Sequence, residues 1–168
     1  MALGLVLCVS FAHAQDTDVP FVVTPDNVTL EMLKLADVKP GEHVIDLGSG
    51  DGRIVIVAAR RFGATGLGVE IVPELVDKSR DNARRAGVAN RVEFRVEDLY
   101  TTDLSRADVI TMYLLPEVNL QLRPKLQALK PGTRIVSHDW DMGDWKPNRV
   151  VTVEAPDKPI GREKSSRL

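Results

Sequence analysis

Asp46 is followed at alternate positions by Gly48, Gly50 and Gly52 in the run Val44-Ile45-Asp46-Leu47-Gly48-Ser49-Gly50-Asp51-Gly52-Arg53. Glycines behind a short apolar run let a ligand approach the backbone closely, and a carboxylate beside them favours a cation or a hydroxyl. A second carboxylate, Glu70, ends the next apolar run 22 residues after Gly48. There its two oxygens can accept both hydroxyls of a ribose. The chemistry of this set is nucleoside binding. A dinucleotide site would carry a third glycine three residues after the second, but Arg53 holds that place and the spacing is G-x-G-x-G. NAD is thereby demoted, and a nucleoside-bearing ligand remains.

Such a site needs strands that end together and helices that start beside them. "TPDNVTLEMLKLA" predicts a leading helix with Thr24 as N-cap, Pro25 first, and Val28, Met32, Leu33, Leu35 and Ala36 on its apolar face. "HVIDL" reads as a buried strand, and "RIVIVAARRFG" as a helix closed by Gly63 despite its β-branched residues. "GLGVEI" is the second strand, and "PELVDKSRDNARRAG" is an amphipathic helix from Pro73 that stops at Gly87. "RVEFRVED" is the third strand, with Val92, Phe94 and Val96 alternating inward. "ADVITMYLL" is the fourth, "PEVNLQLRPKLQALKPG" a helix kinked or interrupted at Pro124, and "TRIVSHD" the fifth. Strands alternating with helices imply an α/β fold, a doubly wound, mainly parallel Rossmann-like sheet with helices on both faces and its ligand at the carboxyl ends of the strands. "RVVTVEA" can add a sixth strand, whereas "PDKPIGREKSSRL" is polar, has no strand pattern and is expected to fray.

Length and composition fit one globular domain: 168 residues, 43% hydrophobic and 27% charged. The formal charge of −2 gives no electropositive field, which disfavours a nucleic-acid partner. Cys8, the single cysteine, rules out an internal disulfide and a cysteine zinc site. Residues 1–14 read as a signal peptide or apolar leader, with Ala12-His13-Ala14 as a small-x-small cleavage pattern and an apolar run too short to span a bilayer comfortably. The domain is expected over 15–155 and a polar tail over 156–168.

The Asp46 to Gly52 loop together with Glu70 resembles the class I S-adenosylmethionine-dependent methyltransferases. That resemblance implies S-adenosyl-L-methionine as cofactor, with no metal required. It implies cofactor-binding roles for Asp46, Gly48, Ser49, Gly50, Gly52 and Glu70, with Asp46 favouring the methionine ammonium. Asp98 after the third strand, with Glu97 next to it, falls where the family places an acidic residue near the adenine amino group. Tyr113 of "YLLP" falls where the family lines the methyl-transfer site. Over most of 18–147, and in "PFVVTP", "DLGSGDGRIVI", "YLLPEVN" and "SHDWDMGDWKP", the chain is similar to bacterial relatives of the mitochondrial lysine methyltransferases that modify the ATP synthase c-subunit and the adenine nucleotide translocase. A protein lysine, with membrane-associated proteins among the candidates, is then the implied acceptor.

Beyond Arg149 the chain holds only enough residues for one strand and a tail, so the C-terminal hairpin of the larger fold is expected to be shortened. Export would also part the enzyme from a cofactor made in the cytosol, so the leader and the cofactor point to different compartments. Asp139, Asp141 and Asp144 interleave with Trp140 and Trp145 in a loop that could receive a cationic lysine or be merely solvated. Tyr113 would align the amine, and Asp139 or Asp141 would guide its proton to water. For His138 a satisfied structural role is the default. A small-molecule methyltransferase, or a nucleoside-binding module without turnover, would share every cofactor residue. The oligomeric state is not readable.

Overall fold

The computed structural model describes residues 21–159 and 163–168. The expected leader lies outside them. Strands β1 (His43–Leu47), β2 (Thr65–Glu70), β3 (Val92–Val96), β4 (Val109–Met112) and β5 (Arg134–Ser137) form one sheet in the order β3-β2-β1-β4-β5, every pair parallel. This is the doubly wound arrangement the alternating pattern implied. The order reverses beside β1, where a crevice must open at the carboxyl ends of β1 and β4.

Helices α1 (Asp26–Leu35), α2 (Arg53–Phe62) and α3 (Pro73–Arg85) cover one face, and α4 (Pro116–Gln127) covers the other. The two-residue period of the strands explains the division. Val44, Val109 and Val136 point to α1 and α2, while Ile45, Leu47, Ile110 and Met112 point to Leu122 and Leu126 of α4. In α2 the β-branched run is held by tertiary burial of Ile54, Val55 and Ile56, and Gly63 closes the helix at φ 69° as expected. α4 continues through Pro124 to Gln127, so the expected interruption does not occur. The carbonyl that Pro124 leaves without a helical donor belongs to Leu120, an exposed residue, where water can take it.

Three further expectations need correction. Thr24 is not the N-cap of α1: Pro25 holds that place without a side-chain capping bond, and Thr24 is buried with its hydroxyl 3.4 Å from His138 Nδ1. In β3 only Phe94 is buried and Val96 is exposed, because β3 is the edge strand. The polar tail does not simply fray. Ser165–Arg167 form β7, antiparallel to β6 (Thr152–Glu154), so the hairpin is present with strands of three residues each. Ala155 and Leu168 are buried in the α1–α2 core, and Asn27 Nδ2 donates to the Glu154 carbonyl at 2.6 Å. Among the described residues no helix is long and apolar enough to cross a membrane.

Candidate active site

Asp46 sits opposite Thr111 in the β1–β4 register, and Thr111 Oγ1 donates to Asp46 Oδ1 at 2.7 Å. Burial, with only 2% of the residue exposed, pushes this carboxyl up to about 7; the Thr111 bond opposes the rise, and the charges of Glu70 and Asp51 add to it. A carboxyl about half ionised at neutral pH therefore waits at the base of the glycine loop.

The loop then turns back on itself. Gly48 and Ser49 donate their amides to the Val69 carbonyl, which brings the loop against the end of β2. Glu70 completes the tie: its Oε2 accepts the Gly50 amide at 3.0 Å, and its Oε1 accepts the amides of Ile71 and Val72. The side-chain-free positions are filled mostly by the protein itself. A Cβ on Gly48 would lie 2.8 Å from Leu114 Cδ2, and one on Gly52 would lie 2.6 Å from Phe94. Those two glycines answer to internal packing as well as to any ligand. Gly50 is faced instead by the half-exposed ring of Phe21. Ser49 Oγ is buried and lacks a hydrogen-bond partner among the described residues.

Asp98 stands exposed past β3 and accepts the Tyr100 amide on Oδ1 at 2.8 Å. The Glu97 amide donates to the Glu70 carbonyl, so the β3 exit adjoins the β2 exit, and the acidic ends of both strands share one rim.

On the other side of β1, Tyr113 leaves β4 stacked on His138, with ring centroids 3.9 Å apart. Its hydroxyl donates to Asp139 Oδ2 at 3.4 Å, and burial together with that carboxylate pushes the phenol up to about 12. Asp139 adopts φ 64°, an uncommon conformation outside glycine, and its contacts enforce it. Oδ1 accepts the Arg167 amide, and Oδ2 takes the Lys158 ammonium at 2.8 Å. Burial works to raise the Asp139 carboxyl, but Lys158, the Arg167 amide and His138 outweigh it and hold it below the usual value. His138 is fully buried, with Nε2 2.8 Å from Ser166 Oγ, and burial pushes it down to about 4, so it is neutral at physiological pH.

Tyr113 and Asp139 thus meet, whereas Asp141 is separate and exposed, its Oδ1 capping the Gly143 amide at 3.1 Å. Asn119 on α4 secures the loop, donating from Nδ2 to the Trp140 and Asp141 carbonyls. Asp139, Trp140, Asp141 and Trp145 border a cavity of about 330 Å³ beside β5, away from the glycine loop. Among the described residues no cluster of three or more His, Cys, Asp or Glu side chains could hold a metal ion.

A carboxylate-tied glycine loop beside an aromatic β4 exit matches a known domain: residues 46–149 fit the family model of the ANTKMT methyltransferase domain. The chain belongs to this methyltransferase family. It is 44% identical over 138 residues to a protein-lysine N-methyltransferase of Saccharolobus islandicus, covering 81% of this chain and 86% of that one. It is 35% identical to the human lysine N-methyltransferase of the ATP synthase c-subunit, covering 86% of this chain but only 65% of the human protein. Among solved structures, a Salinibacter ruber protein described as an RNA methyltransferase in complex with S-adenosyl-L-homocysteine superposes with a TM-score of 0.77 at 53% identity, covering 88% of this chain and 92% of that one. The methyltransferase family read from the loop and Glu70, and the Rossmann-like fold read from the alternation of strands and helices, are thereby established.

Sequence reasoning gave no part in the site to Thr111, Asn119, Lys158 or Phe21. Thr111 is legible in retrospect as the polar residue in an otherwise apolar strand. Lys158 carried no signal, because its partner lies on a separate strand.

Proposed function

We propose that this chain uses S-adenosyl-L-methionine to methylate the Nζ of a protein lysine. The observation that carries the reading is the Tyr113 hydroxyl turned onto Asp139 at the β4 exit, one residue before Leu114 packs against Gly48. Methyl acceptor and cofactor loop then meet at one seam. The 44% identity to the Saccharolobus protein-lysine N-methyltransferase supports lysine as the acceptor.

The residues present fit the cofactor. Ser49 Oγ is an orphaned buried hydroxyl, Glu70 Oε2 keeps one lone pair beyond its bond to the Gly50 amide for a ribose hydroxyl, and Asp46 offers a carboxylate for the ammonium. Asp98 shares the rim where the adenine would rest. When bound, S-adenosylmethionine supplies an activated methyl group, so the chain's main task is orientation. Tyr113 commits its proton to Asp139, which leaves its oxygen lone pairs free to accept from an incoming amine. The raised phenol stays protonated at neutral pH and is no base. A lysine of ordinary pKa ~10.4 must shed its proton before attack, and an apolar channel beside a cation favours the neutral amine. Asp139 is already neutralised by Lys158, which moves the rim role to Asp141, whose Oδ2 has no partner among the described residues.

The Salinibacter relative supports RNA as a competing acceptor; the net charge of −2 argues against it. Incubation of the purified protein with methyl-labelled S-adenosylmethionine and separate membrane-protein, soluble-protein, RNA and small-molecule fractions tests the choice. Label in protein supports the reading. Label in RNA or small molecules, with none in protein, refutes it.

A further inference from the structure

The backbone of Gly50 is spoken for on two sides. Its amide donates to Glu70 Oε2 at 3.0 Å, and its carbonyl accepts Ser79 Oγ at 2.8 Å. Its Cα face remains, and there a Cβ would lie 2.2 Å from Phe21 Cε2. Phe21 is 43% exposed, and Lys78 Nζ of α3 lies 5.6 Å from its ring centroid, so the ring bridges the glycine loop and α3 with one side left open to solvent. The segment carrying it is clasped at Thr24. Arg53 Nη1 donates to the Thr24 carbonyl at 2.9 Å, while Nε and Nη2 of the same guanidinium grip both oxygens of Asp51 at 3.0 and 2.9 Å. A planar fork with three donors in use locks the strap to the cofactor loop, which a lysine could not do.

We infer that Phe21 is a cofactor-contact residue, the wall over Gly50, and that Arg53 is the positioning residue that holds it there by clasping Thr24 to Asp51. In a dinucleotide fingerprint the position of Arg53 would be glycine; here its side chain closes the loop from above. The inference rests on the reading that the glycine loop holds the cofactor. It predicts a shared effect of two residues that do not touch one another in the bonding network except through the strap.

The test is the affinity of the full chain for S-adenosyl-L-homocysteine by calorimetry. Phe21→Ala should weaken binding about tenfold, equivalent to ~1.4 kcal/mol and within the scale of an aromatic contact. Arg53→Lys keeps a cation beside Asp51 yet loses the clasp, and should weaken binding to a similar degree. The double variant should lose about tenfold as well, not a hundredfold, because both changes release the same strap. Phe21→Leu, which restores an apolar wall, should recover most of the loss, and ligand-free melting temperatures separate binding from folding. Unchanged affinity in Phe21→Ala, or additive losses in the double variant, overturns the inference. Glu70→Ala serves as the reference: if it too leaves affinity unchanged, the cofactor reading of the loop has failed; if it alone weakens binding, only the strap has failed.

Discussion

Replacing Asp46 by asparagine should make the ligand-free protein more stable and the cofactor site worse. The buried carboxyl is raised to about 7 in the folded protein, against an unfolded value of ~3.9. The folded state therefore holds a proton that the unfolded chain releases, and stability falls as pH rises from the unfolded value through the folded one, then levels off. Above that window the cost of ionising Asp46 amounts to roughly 4 kcal/mol, an upper scale for a fully buried group. Asparagine has the same shape, still accepts the Thr111 hydroxyl and has no charge to bury, so Asp46→Asn should raise ligand-free stability at pH 8 and change it little at pH 4. Cofactor binding runs the other way, because a cationic ammonium is best served by the ionised carboxylate. Affinity of the natural protein should fall roughly 15-fold between pH 7 and pH 5.5 as that carboxylate takes up its proton. Calorimetry in buffers of different ionisation enthalpy should show proton release on binding below pH 7, and the asparagine variant should show neither the release nor the slope. Denaturant titrations at the two pH values complete the assay. A natural protein whose affinity is flat over this range, or an asparagine variant no more stable at pH 8, would refute the linkage.

Glu70→Ala removes the tie to Gly50 and the ribose acceptor together and should weaken S-adenosyl-L-homocysteine by about 1.5–3 kcal/mol, the scale of hydrogen bonds to a charged group, as read by calorimetry. Gly50→Val should abolish that binding while the fold persists, since φ 52° and the Phe21 ring both reject a branched side chain; a variant that binds normally would remove Gly50 from the site. Asp139→Asn leaves the Lys158 ammonium with only the Ser165 carbonyl and should cost about 1.5–3 kcal/mol, the scale of a hydrogen bond to a charged group, seen as a lower melting temperature, with cofactor affinity nearly intact. Asp141→Asn should raise the acceptor KM at low salt while leaving melting temperature unchanged, and the effect should shrink at high salt as rim charge is screened.

The elements nearest the glycine loop were the most legible. β1, β2, α2 and α3 carry apolar periods, proline starts and glycine stops that agree with their final positions, and Glu70 could be placed at a strand end from spacing alone. What escaped was structure held by distant polar contacts. β7 consists of Ser165, Ser166 and Arg167, which have no strand pattern; their pairing depends on β6, and Ser166 and the Arg167 amide are further tied to His138 and Asp139. Thr24 looked like a cap because capping is local chemistry, yet its hydroxyl meets a histidine 114 residues away. Asp139 read as a free rim carboxylate because the sequence does not reveal that Lys158 neutralises it. The loop chemistry was local and therefore readable, whereas the acceptor side is assembled from three separate strand ends.

The most direct test of lysine methylation is residue-level analysis of protein labelled by the purified chain with methyl-labelled S-adenosylmethionine. The expected result is label recovered as methylated lysine, lost when Glu70→Ala replaces the natural protein at limiting cofactor. Label recovered in another residue, or cofactor bound tightly with no label transferred to any protein, would contradict it.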